Sequence, residues 1–378
     1  MRVAVPLERK EGEKRVALVP DIINKLTRLG YEVVIESGAG DNSQGTDAAY
    51  AAAGASVVKG DVISSADIVL SVQPLTPTQM ATLKKGAATI SFLSTVTAVD
   101  SIEAAVKANA TAFSLELVPR ISRAQSMDAL TSQALCAGYR AVLVGAEMSP
   151  RFFPLLMTAA GTVTPAQVLV LGAGVAGLQA IATARRLGAV VSAYDVRPSS
   201  ADEVKSMGAT FIELELESLE GAGGYAREMT EERAAKQREL LTPYIAKSHV
   251  VITTAAVPGR TAPRLMTQAM IDSMEPGTVI VDLAAETGGN VEGSKPGEVV
   301  VTSGGVRIWG GKDVPSQLAF HASSLYSRNV VNLLTLLTTA AKDGAPVALN
   351  LDFADEIINA SAVTHAGQRR DPSAGGAK

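Results

Sequence analysis

Three glycines, Gly172, Gly174 and Gly177, have the spacing G-x-G-x-x-G and suit the binding of a phosphate-bearing ligand. In a strand-to-helix turn, the first permits a tight bend, the second lets the backbone approach a pyrophosphate, and the third lets the helix pack on the strand. Amide groups at the start of that helix attract phosphate oxygens. Downstream, the carboxylate of Asp195 can accept hydrogen bonds from a ribose 2′-hydroxyl and would repel a 2′-phosphate. The pattern therefore predicts a site for NAD(H).

The residues around these glycines predict the elements that position them. Val168–Leu171 is a short strand, Leu178–Leu187 has apolar residues at helical spacing, and Ala189–Tyr194 is a second strand. Because strand, turn, helix, strand and acid follow in order, a nucleotide site is favoured over a simple glycine-rich turn. Arg197 leaves an alternative open, since an arginine near the acid can accommodate the 2′-phosphate of NADP.

A second group of polar side chains, residues 120–128, follows a predicted strand at Thr111–Leu117. Arg120, Gln125 and Asp128 supply a guanidinium, a carboxamide and a carboxylate. Such groups could bind a ribose and a carboxamide-bearing ring, and ligands of parallel sheets bind at the carboxyl ends of strands. The alternative is a solvated loop in which Arg120 pairs with Asp128.

The chain has 378 residues, of which 47% are hydrophobic and 4% aromatic, and is long enough for two domains. Strand and helix patterns alternate in both halves, with long helical patterns at about 129–147 and 323–337. We expect an α/β protein of two Rossmann-like parallel-sheet domains joined by long helices. Residues 1–130, completed by 312–378, form the N-terminal domain, and residues 131–311 form the nucleotide-binding domain.

Several local predictions accompany this division. Asp21 is expected to cap a helix, residues 155–163 to form a hairpin and Thr210–Leu214 to form a strand. The glycine-rich segment 221–226 is expected to be a mobile surface loop, and the tail 368–378 to be disordered.

Composition excludes several classes of protein. The net charge of −4 offers no basic surface for nucleic acid or an anionic membrane. The single cysteine, Cys136, lies in an apolar helical pattern and is expected to be a buried thiol in a reducing compartment. The charged N-terminus is unlike a signal peptide, and no apolar run reaches the about 18 residues of a membrane span. Three scattered histidines, His249, His321 and His365, predict no metal site.

Six segments together carry a family resemblance that covers nearly the whole chain. They are RVALVP (15–20), PRISRAQSMD (119–128), MTAAGTVTPAQVLVLGAGVAGLQAIATARRLGA (157–189), TTAAVPGR (253–260), LAAETGGN (283–290) and DVPSQLAFHASSLYSRNVVNLL (313–334). In these segments the chain resembles the NAD(H)-binding component of the proton-translocating nicotinamide nucleotide transhydrogenases. Alanine dehydrogenases are more distantly similar, and they lack PRISRAQSMD.

The resemblance implies roles for individual residues. The nicotinamide end of NAD(H) would meet Arg120, Gln125, Ser126, Met127, Asp128 and Thr131, although Thr131 stands where other members have serine. The adenosine half would meet Val175, Asp195, Val196 and Arg197, with further contacts from Gly224, Gln237 and Ala256. Tyr225, in the segment AGGYA, would belong to a mobile loop that closes over the nucleotide.

The implied activity is that of a Si-specific, proton-translocating NAD(P)+ transhydrogenase. This chain would hold NAD(H), and a partner subunit would hold NADP(H). A membrane-spanning subunit would carry the protons, so the chain would be peripheral on the cytoplasmic face of the inner membrane. A homodimer is also implied, with the hairpin near 155–165 as an exchanged arm. Hydride transfer between two nicotinamides requires positioning and no acid or base.

Two other functions remain open at this point. A soluble alanine-type amino-acid dehydrogenase needs a base near the imine carbon. Where that family's pattern has a lysine and a histidine, this chain has Gln73 and Phe92, and only the carboxylate-binding arginine, Arg15, is retained. The third possibility is a non-catalytic NAD-sensing module.

Overall fold

The computed structural model describes residues 1–216, 230–256, 260–341 and 345–370. The chain divides into two compact units, which we call unit 1 (Met1–Gln133 with Ser316–Lys378) and unit 2 (Ala134–Pro315). Each unit is built around a mostly parallel sheet with helices, so the predicted α/β class with two domains is confirmed.

The strands and helices are numbered in chain order. The strands are β1 (Arg2–Val5), β2 (Glu32–Glu36), β3 (Ser56–Val58), β4 (Ile68–Leu70), β5 (Ala88–Ser91), β6 (Thr111–Ser114), β7 (Leu156–Thr158), β8 (Gly161–Val163), β9 (Gln167–Leu171), β10 (Val190–Tyr194), β11 (Thr210–Phe211), β12 (Val250–Thr253), β13 (Val279–Asp282), β14 (Val299–Val301), β15 (Arg307–Gly310), β16 (Thr338–Thr339), β17 (Ala348–Leu349), β18 (Ala362–His365) and β19 (Gln368–Arg369). The helices are α1 (Pro20–Arg28), α2 (Asp47–Ala52), α3 (Pro77–Ala81), α4 (Val99–Lys107), α5 (Ala129–Met148), α6 (Val175–Arg186), α7 (Ser200–Ser206), α8 (Glu231–Ala246), α9 (Gln268–Asp272), α10 (Ala319–Leu336) and α11 (Glu356–Ser361).

The sheet of unit 1 has the strand order β19-β18-β6-β5-β4-β1-β2-β3. Strands β1 to β6 pair in parallel, and their order reverses between β1 and β4, as in doubly wound folds. Strand β18 is antiparallel to β6, and β19 pairs with β18. The expectation of disorder from Gln368 is therefore wrong for Gln368–Arg369, because the edge of the sheet gives those residues hydrogen-bond partners.

The sheet of unit 2 has the order β11-β10-β9-β12-β13-β15-β14. Only the edge strand β14 runs antiparallel, and the rest pair in parallel. Buried Val, Ile, Leu and Ala side chains form a core on each face of the sheet. Such near-continuous apolar strands are typical of a parallel sheet covered on both faces.

Three local predictions need correction. Helix α1 begins at Pro20 after an extended Val19, so Asp21 lies in its first turn and does not cap it. Proline suits this first position because its fixed φ is helical and its missing N–H has no partner there. The predicted strand Thr210–Leu214 is shortened to Thr210–Phe211, and the predicted strand Thr111–Leu117 turns into a 3-10 helix after Ser114.

The hairpin prediction is confirmed, since β7 and β8 pair antiparallel. Its side chains are unusually exposed, with Met157 at 80% and Leu155, just before it, at 55%. Helix α10 begins at Ala319, one turn before the predicted start at Ser323, and belongs to unit 1.

Candidate functional site

The glycine turn of unit 2 lies between β9 and α6. Gly172 has φ +102°, which favours glycine, and an added Cβ there would lie 2.6 Å from Thr254 Oγ1. A Cβ on Gly177 would lie 1.8 Å from the carbonyl oxygen of Gly172, so only glycine lets α6 start this close to the turn. A Cβ on Gly174 would have no atom within 4 Å, and no side chain caps α6. The helix N-terminus therefore faces open space that a phosphate could enter.

Asp195 ends β10 beside this turn and is 9% exposed. Its Oδ2 accepts a hydrogen bond from the Ala173 N–H at 2.7 Å, which fixes the turn to the end of β10. Arg197 donates to the same carboxylate through its backbone N–H (2.9 Å), Nε (2.8 Å) and Nη2 (2.9 Å). The charge of Arg197 is thus paired with Asp195.

A cavity of about 380 Å³ lies at this end of the sheet in unit 2. It is lined by Tyr194, Asp195, Val196, Pro198, Ala201, Phe211, Ile212, Glu213, Leu214, Leu216 and Arg233. Mostly apolar walls with a few polar groups are usual for ligand pockets of this size. The predicted residues Asp195 and Val196 therefore meet at one cavity.

The other predicted residues of unit 2 are distributed differently. Val175 is the first residue of α6, and Ala256 is exposed beyond β12. Gln237 is only 2% exposed, and its Oε1 accepts a hydrogen bond from Tyr194 Oη at 3.3 Å. Burial raises the pKa of Tyr194 to about 12, so its hydroxyl stays protonated and can donate. Gly224 and Tyr225 lie outside the described residues.

A buried pair, Asn290 and Asp282, supports the segment containing Ala256. Asn290 is fully buried, and its Nδ2 donates to the carbonyl oxygens of Ala255 and Pro263, both at 2.8 Å. Asp282, also fully buried, accepts hydrogen bonds from Thr253 Oγ1 and from the Asn290 backbone N–H, at 3.0 and 3.3 Å. The motif LAAETGGN contains Asn290. The contacts of Asn290 are with residues distant in the chain, so the sequence pattern could not predict them.

The polar segment 120–128 of unit 1 forms a 3-10 helix, Ser122–Met127, directly before α5. Asp128 accepts hydrogen bonds from the backbone N–H and hydroxyl of Thr131, at 2.8 and 2.7 Å. It thereby serves as a cap for α5, a role favoured for aspartate. Among the predicted nicotinamide contacts, Asp128 and Thr131 are thus brought together.

The backbone of this segment is anchored while some of its side chains face outward. Asn329 and Asn332 each donate from Nδ2 to the carbonyl oxygen of Ser126 at 3.0 Å. Met127 is buried, whereas the side chains of Arg120, Gln125 and Ser126 are exposed. A fixed backbone with outward polar side chains can orient a ligand.

Unit 1 also contains a buried ionic cluster, which we define as Glu8, Glu13, Arg15 and Gln73. Arg15 donates to Glu13 through Nε at 2.8 Å and Nη2 at 2.6 Å, and its Nη1 donates to Gln133 at 2.9 Å. Glu13 also accepts from Gln73 Nε2 and from Ser316 Oγ, both at 2.6 Å. The cluster lies near the end of β1 and β4, where the strand order reverses.

Glu8 is the titratable member of the cluster. Its carboxylate accepts hydrogen bonds from the backbone N–H groups of Val72 and Gln73. Burial, together with the negative charge of Glu13, raises the pKa of Glu8 to about 7, against the opposing effect of those amides and Arg15. Sequence patterns carry no signal for this, because Val72 is distant in the chain.

Glu8→Gln is expected to stabilise the protein at pH 8. Because the folded pKa of Glu8 is about 7 and its ordinary value is 4.5, stability is lost as pH rises between those values. A neutral amide avoids that loss, so the free energy of unfolding should rise by about 1–3 kcal/mol at pH 8 and stay unchanged at pH 4. Urea unfolding at both pH values measures this, with the exposed Glu11→Gln as control. A variant less stable than the parent at pH 8 would contradict the assignment.

His249 and Cys136 lie where they contribute to the fold. His249 Nδ1 is 3.0 Å from the backbone nitrogen of Gln167, and burial followed by the charge of Arg151 lowers the pKa of His249. Cys136 is a buried thiol, as predicted. Over the described ranges, no cluster of His, Cys, Asp and Glu could hold a metal ion. Nor does the described portion of the chain contain a helix with the length and apolarity needed to cross a membrane.

Two family models match the chain over most of its length. Residues 4–137 match the model described as alanine dehydrogenase/PNT, N-terminal domain. Residues 141–372 match the model described as alanine dehydrogenase/PNT, C-terminal domain.

Individual relatives agree with these matches. The chain is 47% identical over 377 residues to the first part of NAD(P) transhydrogenase subunit alpha of Rhodospirillum rubrum, covering 97% of each chain. It is 33% identical over 301 residues to alanine dehydrogenase of Mycobacterium tuberculosis, covering 78% of this chain and 76% of the relative. A crystal structure of transhydrogenase from Sinorhizobium meliloti superposes with a TM-score of 0.85 and 42% identity, covering 99% of this chain and 100% of the other.

Proposed function

Because this chain belongs to the alanine dehydrogenase/PNT family, we propose that it is the NAD(H)-binding component of a proton-translocating transhydrogenase. It passes a hydride between NADH on this chain and NADP+ on a partner subunit, with Si specificity. The observation that carries the proposal is the 47% identity over 97% of both chains to the first polypeptide of a transhydrogenase alpha subunit. The open glycine turn supports it, because a Cβ on Gly174 would enter the space that a pyrophosphate needs.

The proposal places the adenosine half of NAD(H) in unit 2. The cavity beside Val196 holds the base, and the carboxylate of Asp195 meets the ribose. The charge of Arg197 is already paired with Asp195, which favours a ribose hydroxyl over a 2′-phosphate and hence NAD over NADP. Val175, Gln237 and Ala256 add contacts, as do Gly224 and Tyr225 by resemblance.

The proposal assigns the nicotinamide end to residues 120–131 of unit 1. The cofactor supplies the hydride, so the protein must bind and orient the ring and exclude water. Gln125 and Ser126 present exposed polar groups on the anchored 3-10 helix, and Arg120 is exposed just before it. Met127 and the capping pair Asp128 and Thr131 follow directly. Arg120, Gln125 and Asp128 are assigned the orientation of the reacting ring.

Gln125→Asn is expected to slow hydride transfer about 100-fold while changing NADH affinity less than about threefold. Shortening the side chain by one methylene misplaces the ring by roughly 1 Å, an error that costs rate far more than binding. Stopped-flow transfer and fluorescence titration measure the two quantities. Gln268→Asn, exposed on α9, is the control. Equal losses in rate and affinity would count against positioning by Gln125.

The partners belong to the same proposal. An NADP(H)-binding subunit and a membrane-spanning proton-channel subunit complete the enzyme, which places this chain at the cytoplasmic face of the inner membrane. The chain itself is proposed to form a homodimer, with the β7–β8 hairpin exchanged between copies. The exposed apolar side chains of Met157, in the hairpin, and Leu155, just before it, support the proposal that a second copy covers this surface.

The proposal is tested by two measurements. NADH and NADPH are titrated separately against the fluorescence of Trp309, the only tryptophan, and NADH is expected to bind the more tightly. The chain is then mixed with an NADP(H)-binding partner domain and assayed for hydride exchange with an NADH analogue. Lack of exchange despite NADH binding would favour the NAD-sensing module instead. Production of NADH from alanine and NAD+ by the isolated chain would establish the amino-acid dehydrogenase.

A further inference from the structure

Arg233, in the first turn of α8, lines the cavity of unit 2 and is absent from the residues implied by the family resemblance. Its backbone N–H donates to the Thr230 hydroxyl that caps the helix, which fixes where the side chain begins. The Nε atom of Arg233 is buried and has no acceptor among the described residues. A buried donor without a partner is rare and requires an explanation.

The carboxylates that line the same cavity do not supply that partner. Asp195 is engaged with Ala173 and Arg197. Glu213 lies 3.5 Å from Lys205 Nζ, in an exposed pair. Arg233 therefore places a guanidinium at the cavity, and neither Asp195 nor Glu213 accepts a hydrogen bond from its Nε.

The composition of the cavity wall decides which chemistry fits. Its apolar portion includes Val196, Ile212 and Leu214, which suit a flat ring. Its charged portion has two carboxylates, Asp195 and Glu213, against the single guanidinium of Arg233. Arg197 and Lys205 already pair with these two acids, so the described residues of the wall present no cluster of unpaired positive charges, and their mostly apolar lining suits a neutral group better than a phosphate. A neutral aromatic base carries ring-nitrogen acceptors for the guanidinium and a π face on which it can stack.

We propose that Arg233 is a specificity-determining residue that binds the adenine ring of the dinucleotide. The inference rests on the proposed function and deepens it, since it assigns base recognition to a residue of α8. The guanidinium contacts the base through a donated hydrogen bond and its planar face. Asp195 remains the group that meets the ribose.

The same helix provides a matched control. Arg238 lies one to two turns further along α8, and its Nη2 donates to Glu231 at 2.6 Å. It is not among the residues that line the cavity. Arg233→Met and Arg238→Met each remove one positive charge from α8. The first removes it at the cavity and the second removes it away from the cavity.

The experiment measures dissociation constants of NADH, NADPH and reduced nicotinamide mononucleotide, which lacks the adenosine half. Arg233→Met is expected to weaken NADH binding about tenfold and to leave the mononucleotide within about twofold. Arg238→Met should leave both unchanged. Arg233→Lys should remain at least about threefold weaker for NADH, because an ammonium lacks the planar donor fork. Circular dichroism melting confirms that each variant is folded.

The contrary outcomes are distinct. An unchanged NADH affinity in folded Arg233→Met, or an equal loss for NADH and the mononucleotide, would overturn the role in base binding. A loss confined to NADPH would identify Arg233 as a 2′-phosphate receptor and also overturn it. If the unaltered chain failed to bind NADH at all, the proposed function itself would be wrong, and this inference with it.

Discussion

Gly174→Ala is expected to lower NADH affinity by about 100-fold, or about 2.7 kcal/mol, without lowering the unfolding temperature. The φ of Gly174 is −75°, which alanine adopts readily, and an added Cβ meets no protein atom within 4 Å. Folding therefore tolerates the methyl group. In the proposed complex, however, that methyl group occupies the space through which the backbone meets the pyrophosphate.

Gly177→Ala provides the contrast, because its Cβ would lie 1.8 Å from the Gly172 carbonyl oxygen. Helix α6 must then move away from the turn, and the free energy of unfolding should fall by about 3 kcal/mol. Calorimetry and NADH titration separate the two effects, with the exposed Gly304→Ala as control. If Gly174→Ala bound NADH as tightly as the parent, the pyrophosphate would not lie at this turn.

Glu13→Gln is expected to lower the free energy of unfolding at pH 7 by about 3–5 kcal/mol. The change removes the negative partner of Arg15, whose side chain is 7% exposed, and leaves a buried positive charge. Gln73 and Ser316 also lose their charged acceptor. Urea unfolding measures the effect. The control is Glu32→Gln, whose pair with Arg2 at 2.9 Å is largely exposed and should contribute less than about 1 kcal/mol.

The pH dependence gives a second signature of the same pair. Burial alone would raise the pKa of Glu13, but the hydrogen bonds and charge of Arg15 outweigh it and lower that pKa to about 2. A lowered folded pKa contributes stability that is complete above the ordinary value of 4.5 and is lost as pH falls towards 2. The Gln variant should lack this loss. If Glu13→Gln and Glu32→Gln lowered the free energy of unfolding at pH 7 by the same small amount, the buried pair of Glu13 and Arg15 would not stabilise the fold as expected.

The regions of the fold that could be predicted from sequence are those specified by neighbouring residues. The strand and helix around Gly172 and Gly177 follow from apolar spacing and from steric demands within one turn. The hairpin β7–β8 is also local. Strand β18 was missed, because its four residues form a strand only by pairing with β6, far away in the chain.

The candidate site divides in the same way. Asp195 and Gln125 could be predicted as site residues from the sequence pattern and the family resemblance. The contacts that orient the side chains could not be predicted from sequence. Glu8 contacts Val72, and Asn290 contacts Ala255, only after the sheets have formed. Likewise, nothing in the helical pattern of α8 distinguishes Arg233 at the cavity from Arg238.

The internal hydrogen bonds of Asp195 also govern what a ribose can gain there. A carboxylate offers about four lone-pair sites, and donors from Ala173 and Arg197 already fill them. A sugar hydroxyl that bonds to this acid must displace an existing donor, so one hydrogen bond is exchanged for another with little net gain in affinity. Asp195 accordingly contributes mainly to selectivity: it accommodates a ribose 2′-hydroxyl and disfavours a 2′-phosphate.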